Sequence, residues 1–156
     1  MTKILFICLG NICRSPMAEF VMKELVEKAG LADEFQIDSA ATCRDEIGNP
    51  VYPPARRKLA EHGISCEGHA ARQLTAQDYE EYDLLIGMEG ANLKNMQRIC
   101  GGDPAGKMHR LLDYTDRRAM SPTRGIQAIL KRRGGMSQRA ASAFWQRSKK
   151  VGFDGI

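Results

Sequence analysis

The stretch from Lys3 to Ser15 limits the possible folds most, because a short apolar run passes directly into a glycine-containing loop and a helix start. Lys3–Cys8 (KILFIC) is continuous, β-branched and aromatic, as suits a strand buried on both faces. Ser15 is expected to cap the following helix, with Pro16 at its first position. Met17, Phe20, Val21 and Leu25 then recur at helical spacing until Gly30. A buried strand feeding a capped helix is the start of a β-α-β unit, and in such units ligands gather at the carboxyl ends of the strands. Cys8 lies at that end.

The later sequence continues the alternation. Gln36–Ser39 reads as a second strand, and Pro54–His62 as a helix closed by Gly63, with Ala55 and Leu59 inward. Gln77–Tyr82 reads as a short helix, Asp83–Met88 as a third buried strand and Ala91–Cys100 as another helix. A fourth strand is expected in Lys107–Tyr114, with Leu111 and Leu112 its most apolar part. This pattern predicts an α/β fold: a four-stranded parallel sheet with helices on both faces and the loop after the first strand.

The loop Cys8-Leu9-Gly10-Asn11-Ile12-Cys13-Arg14-Ser15 carries the chemistry. Successive backbone N–H groups in such a turn form a concave anion site, and the helix N-terminus adds a favourable dipole. Gly10 and Asn11 tolerate the unusual backbone angles that a tight cradle requires. Arg14 offers a planar fork for two phosphate oxygens. The same positive surroundings favour a thiolate at Cys8, and Ser15 can donate a further hydrogen bond to it. In-line attack by Cys8 on phosphorus would give a phosphocysteine that water hydrolyses, with no metal or other cofactor required.

Composition limits the alternatives. No apolar run approaches the roughly 20 residues of a membrane span, and Ile4–Leu9 is too short for a secretory signal. Cytoplasmic location is expected. Five cysteines (Cys8, Cys13, Cys43, Cys66 and Cys100) form an odd, sparse set, unlike a secreted disulfide framework. The scattered His62, His69 and His109, without C-x-x-C spacing, argue against a structural zinc site. Charge is uneven: residues 1–116 carry 13 basic and 18 acidic side chains, residues 117–156 carry 10 and one. The domain reading follows that step, with a core over 1–116 and an atypical basic tail over 117–156.

Over roughly its first 116 residues the chain resembles the low-molecular-weight protein tyrosine phosphatases, through ILFICLGNICRSPMAE, IDSAAT, ARRKLAEHGI, HAARQLTAQDYEEYDLLIGMEGANL and LLDYTD. The resemblance implies Cys8 as nucleophile, Arg14 as phosphate binder, Ser15 as thiolate stabiliser, and Asn11 as a loop organiser supported by Ser39 and His69. It also implies that Cys13 can form a protective disulfide with Cys8, that Tyr52 and Glu89 lie near the pocket, and that the substrate is a phosphotyrosine-bearing protein or an aryl phosphate. Alternatives on the same loop are a protein arginine phosphatase, which usually carries Thr where this chain has Ile12, and an arsenate reductase, which needs a later cysteine pair. Cys43, Cys66 and Cys100 are too far apart in sequence to be that pair. A weak phosphate-binding module is the third class.

The pattern departs from the family at the general acid, an Asp in an Asp-Pro-aromatic-aromatic motif after the last strand. The only Asp-Pro here is Asp103-Pro104, followed by Ala105-Gly106 and placed before the fourth strand, so it reads as a turn. Back-translation from Ala119 in a shifted frame permits Asp-Pro-Trp-Tyr across Pro122–Ile126, followed by an amphipathic segment. A frameshift near Arg117 would account together for the basic charge, the lost periodicity and the missing acid. Nucleic-acid binding by the tail is correspondingly disfavoured.

Overall fold

The computed structural model describes residues 1–28 and 30–111. The last residues, Leu112–Tyr114, of the strand expected over Lys107–Tyr114, the end of the core at residue 116 and the basic tail 117–156 lie outside the described residues.

β1 (Thr2–Cys8) forms from the apolar run at the chain start, and Ile4, Leu5, Phe6 and Ile7 are fully buried. It pairs in parallel with β2 (Phe35–Ala41) on one side and β3 (Leu84–Gly87) on the other. β4 (Met108–Arg110) adds in parallel to β3, so the order is β2-β1-β3-β4. The four-stranded parallel α/β sheet expected from the sequence is present. β4 ends sooner than expected, at Arg110, and Leu111 is buried beyond it in the core.

Alternation along β1 splits the core. Ile4, Phe6 and Cys8 face the helices α1 (Arg14–Lys28) and α2 (Pro53–Glu61) through Val21, Met22, Leu25, Ala55 and Leu59. Leu5 and Ile7 face Leu74, Tyr79 and Met96, the last two on α3 (Ala76–Glu81) and α4 (Gly90–Cys100). Each fully buried aliphatic or aromatic side chain contributes about 1.5–3 kcal/mol relative to exposure, so β1 anchors the loop that follows it. The connection from β1 to β2 lies on one face and later helices cover the other, which makes the carboxyl end of β1 the crevice of the sheet.

Helix ends follow from local sequence. Gly30, at φ 73°, closes α1 through Leu31 N–H to Val26 O (2.8 Å) and Gly30 N–H to Glu27 O (3.0 Å). α3 starts on a reciprocal cap: Asp78 N–H donates to Thr75 Oγ1 (3.3 Å), and Thr75 N–H donates to Asp78 Oδ2 (2.8 Å).

Candidate active site

The loop grows out of β1 and stays tied to the segment after β2. Thr42 N–H donates to Cys8 O and Cys43 N–H to Leu9 O, both at 3.0 Å, and Tyr52 N–H donates to Ile12 O at 2.7 Å. These bonds engage loop carbonyls from outside. Inside, Asn11 N–H donates to Cys8 Sγ at 3.3 Å. Among the described residues, the amides of Gly10, Ile12 and Cys13 meet no acceptor. A chain of amides with engaged carbonyls is what an anion cradle requires.

Asn11 is the hub. It is the single non-glycine with positive φ (59°) among the described residues, and it is fully buried. Its Nδ2 donates to Ser15 Oγ (2.9 Å) and Ser39 Oγ (2.8 Å), and its Oδ1 accepts from Arg72 N–H (3.2 Å). His69 Nε2 donates to its carbonyl oxygen at 2.8 Å. The structure thus brings Ser39 and His69 onto Asn11 from 28 and 58 residues away. Three long-range bonds and one local bond to Ser15 hold a left-handed backbone that asparagine tolerates better than most.

Two local expectations need correction. Gly10 does not have positive φ. Its reason is space, since a Cβ there would lie 3.3 Å from Glu46 Cγ. Ser15 is not the helix cap: α1 already begins at Arg14, and Met17 N–H donates to Cys13 O at 3.1 Å. The buried Ser15 hydroxyl lies instead 3.0 Å from Cys8 Sγ. Pro16 remains within the first turn, where an absent N–H breaks no helical bond.

Cys8 is 5% exposed, with Ser15 Oγ and Asn11 N–H both on its sulfur. Cys13 is half-buried: burial pushes its thiol up, Cys8 pushes it further, and Arg14 offsets only part of this. Both cysteines are free thiols.

Arg14 is exposed and its Nη2 lies 3.0 Å from Glu89 Oε1, at side-chain exposures of 55% and 50%. Glu89 is held by the turn into α4, where its N–H and that of Met88 donate to Asn92 Oδ1 at 2.9 and 3.1 Å. Gly87 lets α4 come this close: a Cβ there would meet Asn92 Cβ and Met96 Sδ at 3.1 Å. So exposed an ion pair is worth about 0–1 kcal/mol, less than two charge-assisted bonds to a phosphate at roughly 1.5–3 kcal/mol each. Glu89 therefore aims the guanidinium without withholding it. Leu9 and Tyr52, 57% and 49% exposed, flank the loop.

Asp103 sits elsewhere, in the turn before β4. Its carboxylate accepts from Tyr79 Oη (2.8 Å), Lys107 N–H (2.8 Å) and Met108 N–H (3.2 Å). The Asp-Pro is a turn, as its sequence context suggested.

Sequence reasoning missed Glu19 and Arg72. Glu19 is 6% exposed, accepts from Ser39 Oγ at 2.5 Å and pairs with Lys23 at 2.6 Å. Its spacing held a signal: it lies four residues after Ser15 and three before Met22, on the inner stripe of α1. Arg72 shows no such local mark, because its role at Asn11 is played by its backbone.

A family model described as low molecular weight phosphotyrosine protein phosphatase matches residues 3–143. The chain is 40% identical over 116 residues to the low molecular weight protein-tyrosine-phosphatase YfkJ of Bacillus subtilis, covering 74% of each chain. It is 42% identical over 114 residues to low molecular weight phosphotyrosine protein phosphatase 1 of Drosophila melanogaster, covering 73% of this chain and 70% of that one. Its structure is similar to that of a low molecular weight protein tyrosine phosphatase from Streptococcus pyogenes. There the TM-score is 0.75 at 33% identity, over 89% of this chain and 96% of the other.

Proposed function

Because this chain belongs to the low molecular weight protein-tyrosine-phosphatase family, and is thus a phosphoric monoester hydrolase, we propose that it works through a phosphocysteine on Cys8. The observation that carries this reading is the pair of contacts on the Cys8 sulfur, where Asn11 N–H donates at 3.3 Å and Ser15 Oγ lies at 3.0 Å. The thiolate attacks phosphorus in line, the S–P bond forms and the P–O bond to the aryl group breaks, so the aryl oxide departs with the electron pair. Arg14 and the amides of Leu9–Ser15 hold the equatorial oxygens through the transition state, where their charge matters most. Water then cleaves the S–P bond, releasing inorganic phosphate and restoring the thiolate. The substrate would be a phosphotyrosine-bearing protein and the setting the cytoplasm, in keeping with five cysteines that are all free thiols.

The chain as written lacks the Asp-Pro-aromatic-aromatic acid motif, and Asp103 is committed to its own turn. We infer that the aryl oxide leaves without a carboxylic acid's proton. Such a proton is typically worth ~10²–10⁴ in rate. Turnover of p-nitrophenyl phosphate, whose phenol is acidic, should then exceed that of a phosphotyrosine peptide by a comparable margin, and Cys8→Ser should abolish both. An intact mass of the same preparation checks residues 117–156. Equal turnover of the two substrates at the mass of these 156 residues would overturn the acid-less reading. Phosphoarginine hydrolysis without aryl phosphate hydrolysis would overturn the tyrosine reading.

A further inference from the structure

We propose that Glu19 is a positioning residue that sets the direction of the hydrogen-bond chain ending on Cys8, so that Ser15 presents its proton to the sulfur. The inference rests on Cys8 being the nucleophile. Geometry alone leaves the Ser15–Cys8 contact undirected, since at 3.0 Å either atom can donate. The rest of the chain decides it.

Direction is transmitted one bond at a time. Glu19, ion-paired with Lys23 at 2.6 Å, is a carboxylate and can only accept. The single proton of Ser39 is therefore spent on Glu19 Oε1 at 2.5 Å, and Ser39 Oγ is left as an acceptor. It faces Asn11 at 2.8 Å and so selects the amide nitrogen, not the oxygen. From the other side, Arg72 N–H, which can only donate, selects Oδ1 at 3.2 Å. With both ends of the amide assigned, Nδ2 donates to Ser15 Oγ at 2.9 Å, and the Ser15 proton has Cys8 as its remaining target. Were the amide reversed, Ser15 and Ser39 would both donate to Oδ1, and the sulfur would lose one of its two donors.

Burial makes the direction persist. Glu19, Ser39, Asn11 and Ser15 are all at most 6% exposed, so water does not compete for these protons. The charged groups facing Glu19 are Lys23 on its own helix and Asp38, Glu67, His69 and Arg72 across a cleft of about 310 Å³. Arg72 is tied to Asp78 at 2.9 and 3.1 Å and His69 to the Asn11 carbonyl, so Lys23 is the cation in contact with Glu19.

The test compares wild type, Glu19→Gln, Ser15→Ala and the double variant by the pH dependence of iodoacetamide labelling at Cys8, located by peptide mass. In Glu19→Gln the lone side-chain oxygen goes to Lys23, because that bond is charge-assisted. The amide nitrogen then faces Ser39 and donates, which frees the Ser39 proton to turn on Asn11 and oppose the amide direction that Arg72 N–H favours. We expect the labelling midpoint to rise by roughly one pH unit in Ser15→Ala and by less in Glu19→Gln. The double variant should move no further than Ser15→Ala. A midpoint unmoved by Glu19→Gln, or single shifts that add in the double variant, would overturn the inference. A purely structural Glu19 would lower the thermal midpoint and the labelled fraction without moving the labelling pH. If Glu19→Gln does not fold, Ser39→Ala cuts the chain one link on; an unmoved midpoint there overturns it equally. Wild-type labelling at neutral pH on another cysteine would overturn the nucleophile assignment itself, and this inference with it.

Discussion

The loop after β1 and the turn before β4 each turn backbone amides toward a side chain, and they use those amides in opposite ways. At the turn, Asp103 supplies its own anion: the amides of Lys107 and Met108 and the Tyr79 hydroxyl all close on one carboxylate. At the loop, one amide goes to Cys8 Sγ, while those of Gly10, Ile12 and Cys13 have no acceptor among the described residues. Cradling geometry is thus common to both. The loop differs in holding donors that its own side chains do not consume, and in ending on an arginine that is only loosely paired.

That contrast can be broken by experiment. Arg14→Lys keeps the charge but removes the planar fork, and should lower kcat for aryl phosphate by roughly 10²–10³, measured at saturating substrate. Asp103→Ala should instead leave activity per folded molecule unchanged and lower stability by about 2–3 kcal/mol, read as a reduced urea midpoint, since it strands three donors. A loss of kcat in Asp103→Ala matching that of Arg14→Lys would erase the distinction between the two loops. Within the loop, the two sulfurs should separate. Between pH 7 and 8, Cys13 should label with iodoacetamide more slowly than an ordinary thiol, because burial and Cys8 raise it more than Arg14 lowers it. Peptide mapping that finds Cys13 labelled ahead of Cys8 would contradict this. The smallest effect is expected of Gly10→Ala, whose new Cβ meets the movable end of Glu46 at 3.3 Å. Its urea midpoint should fall by less than about 1 kcal/mol equivalent, and a larger loss would mean that Glu46 cannot move aside.

How much of this was legible in the sequence depended on whether cause and effect were near neighbours. KILFIC announced a two-sided buried strand because its own apolar run decides that, and the structure buries Ile4 to Ile7 completely. Asn11 was recognisable as a residue able to take φ 59° within the loop. Ser15 was misread because Ser-Pro before an apolar stripe resembles a cap, whereas its hydroxyl answers to Cys8 and Asn11. Gly10 was given the wrong reason because Glu46, which crowds it, comes from another segment. The place of Glu19 on the inner stripe of α1 was readable, but its partner Ser39 was not, and neither was the Arg72 backbone; the partners lie 20 and 61 residues away. Tertiary bonds of that length leave no mark on local pattern.

The central place of β1 has a consequence for how the molecule is made. Cys8 and its loop are translated before the residues that fix them, and Asn11 cannot be held in place until Ser39, His69 and Arg72 have been added, the last 61 residues later. At roughly 5–20 residues per second of synthesis, that delay is on the order of 3–12 s. During it the thiol exists without the fixed contacts that Asn11 and Ser15 make in the folded loop. On the nascent chain the proposed nucleophile therefore lacks the surroundings of the folded loop, and it gains them only when the growing sheet closes over it.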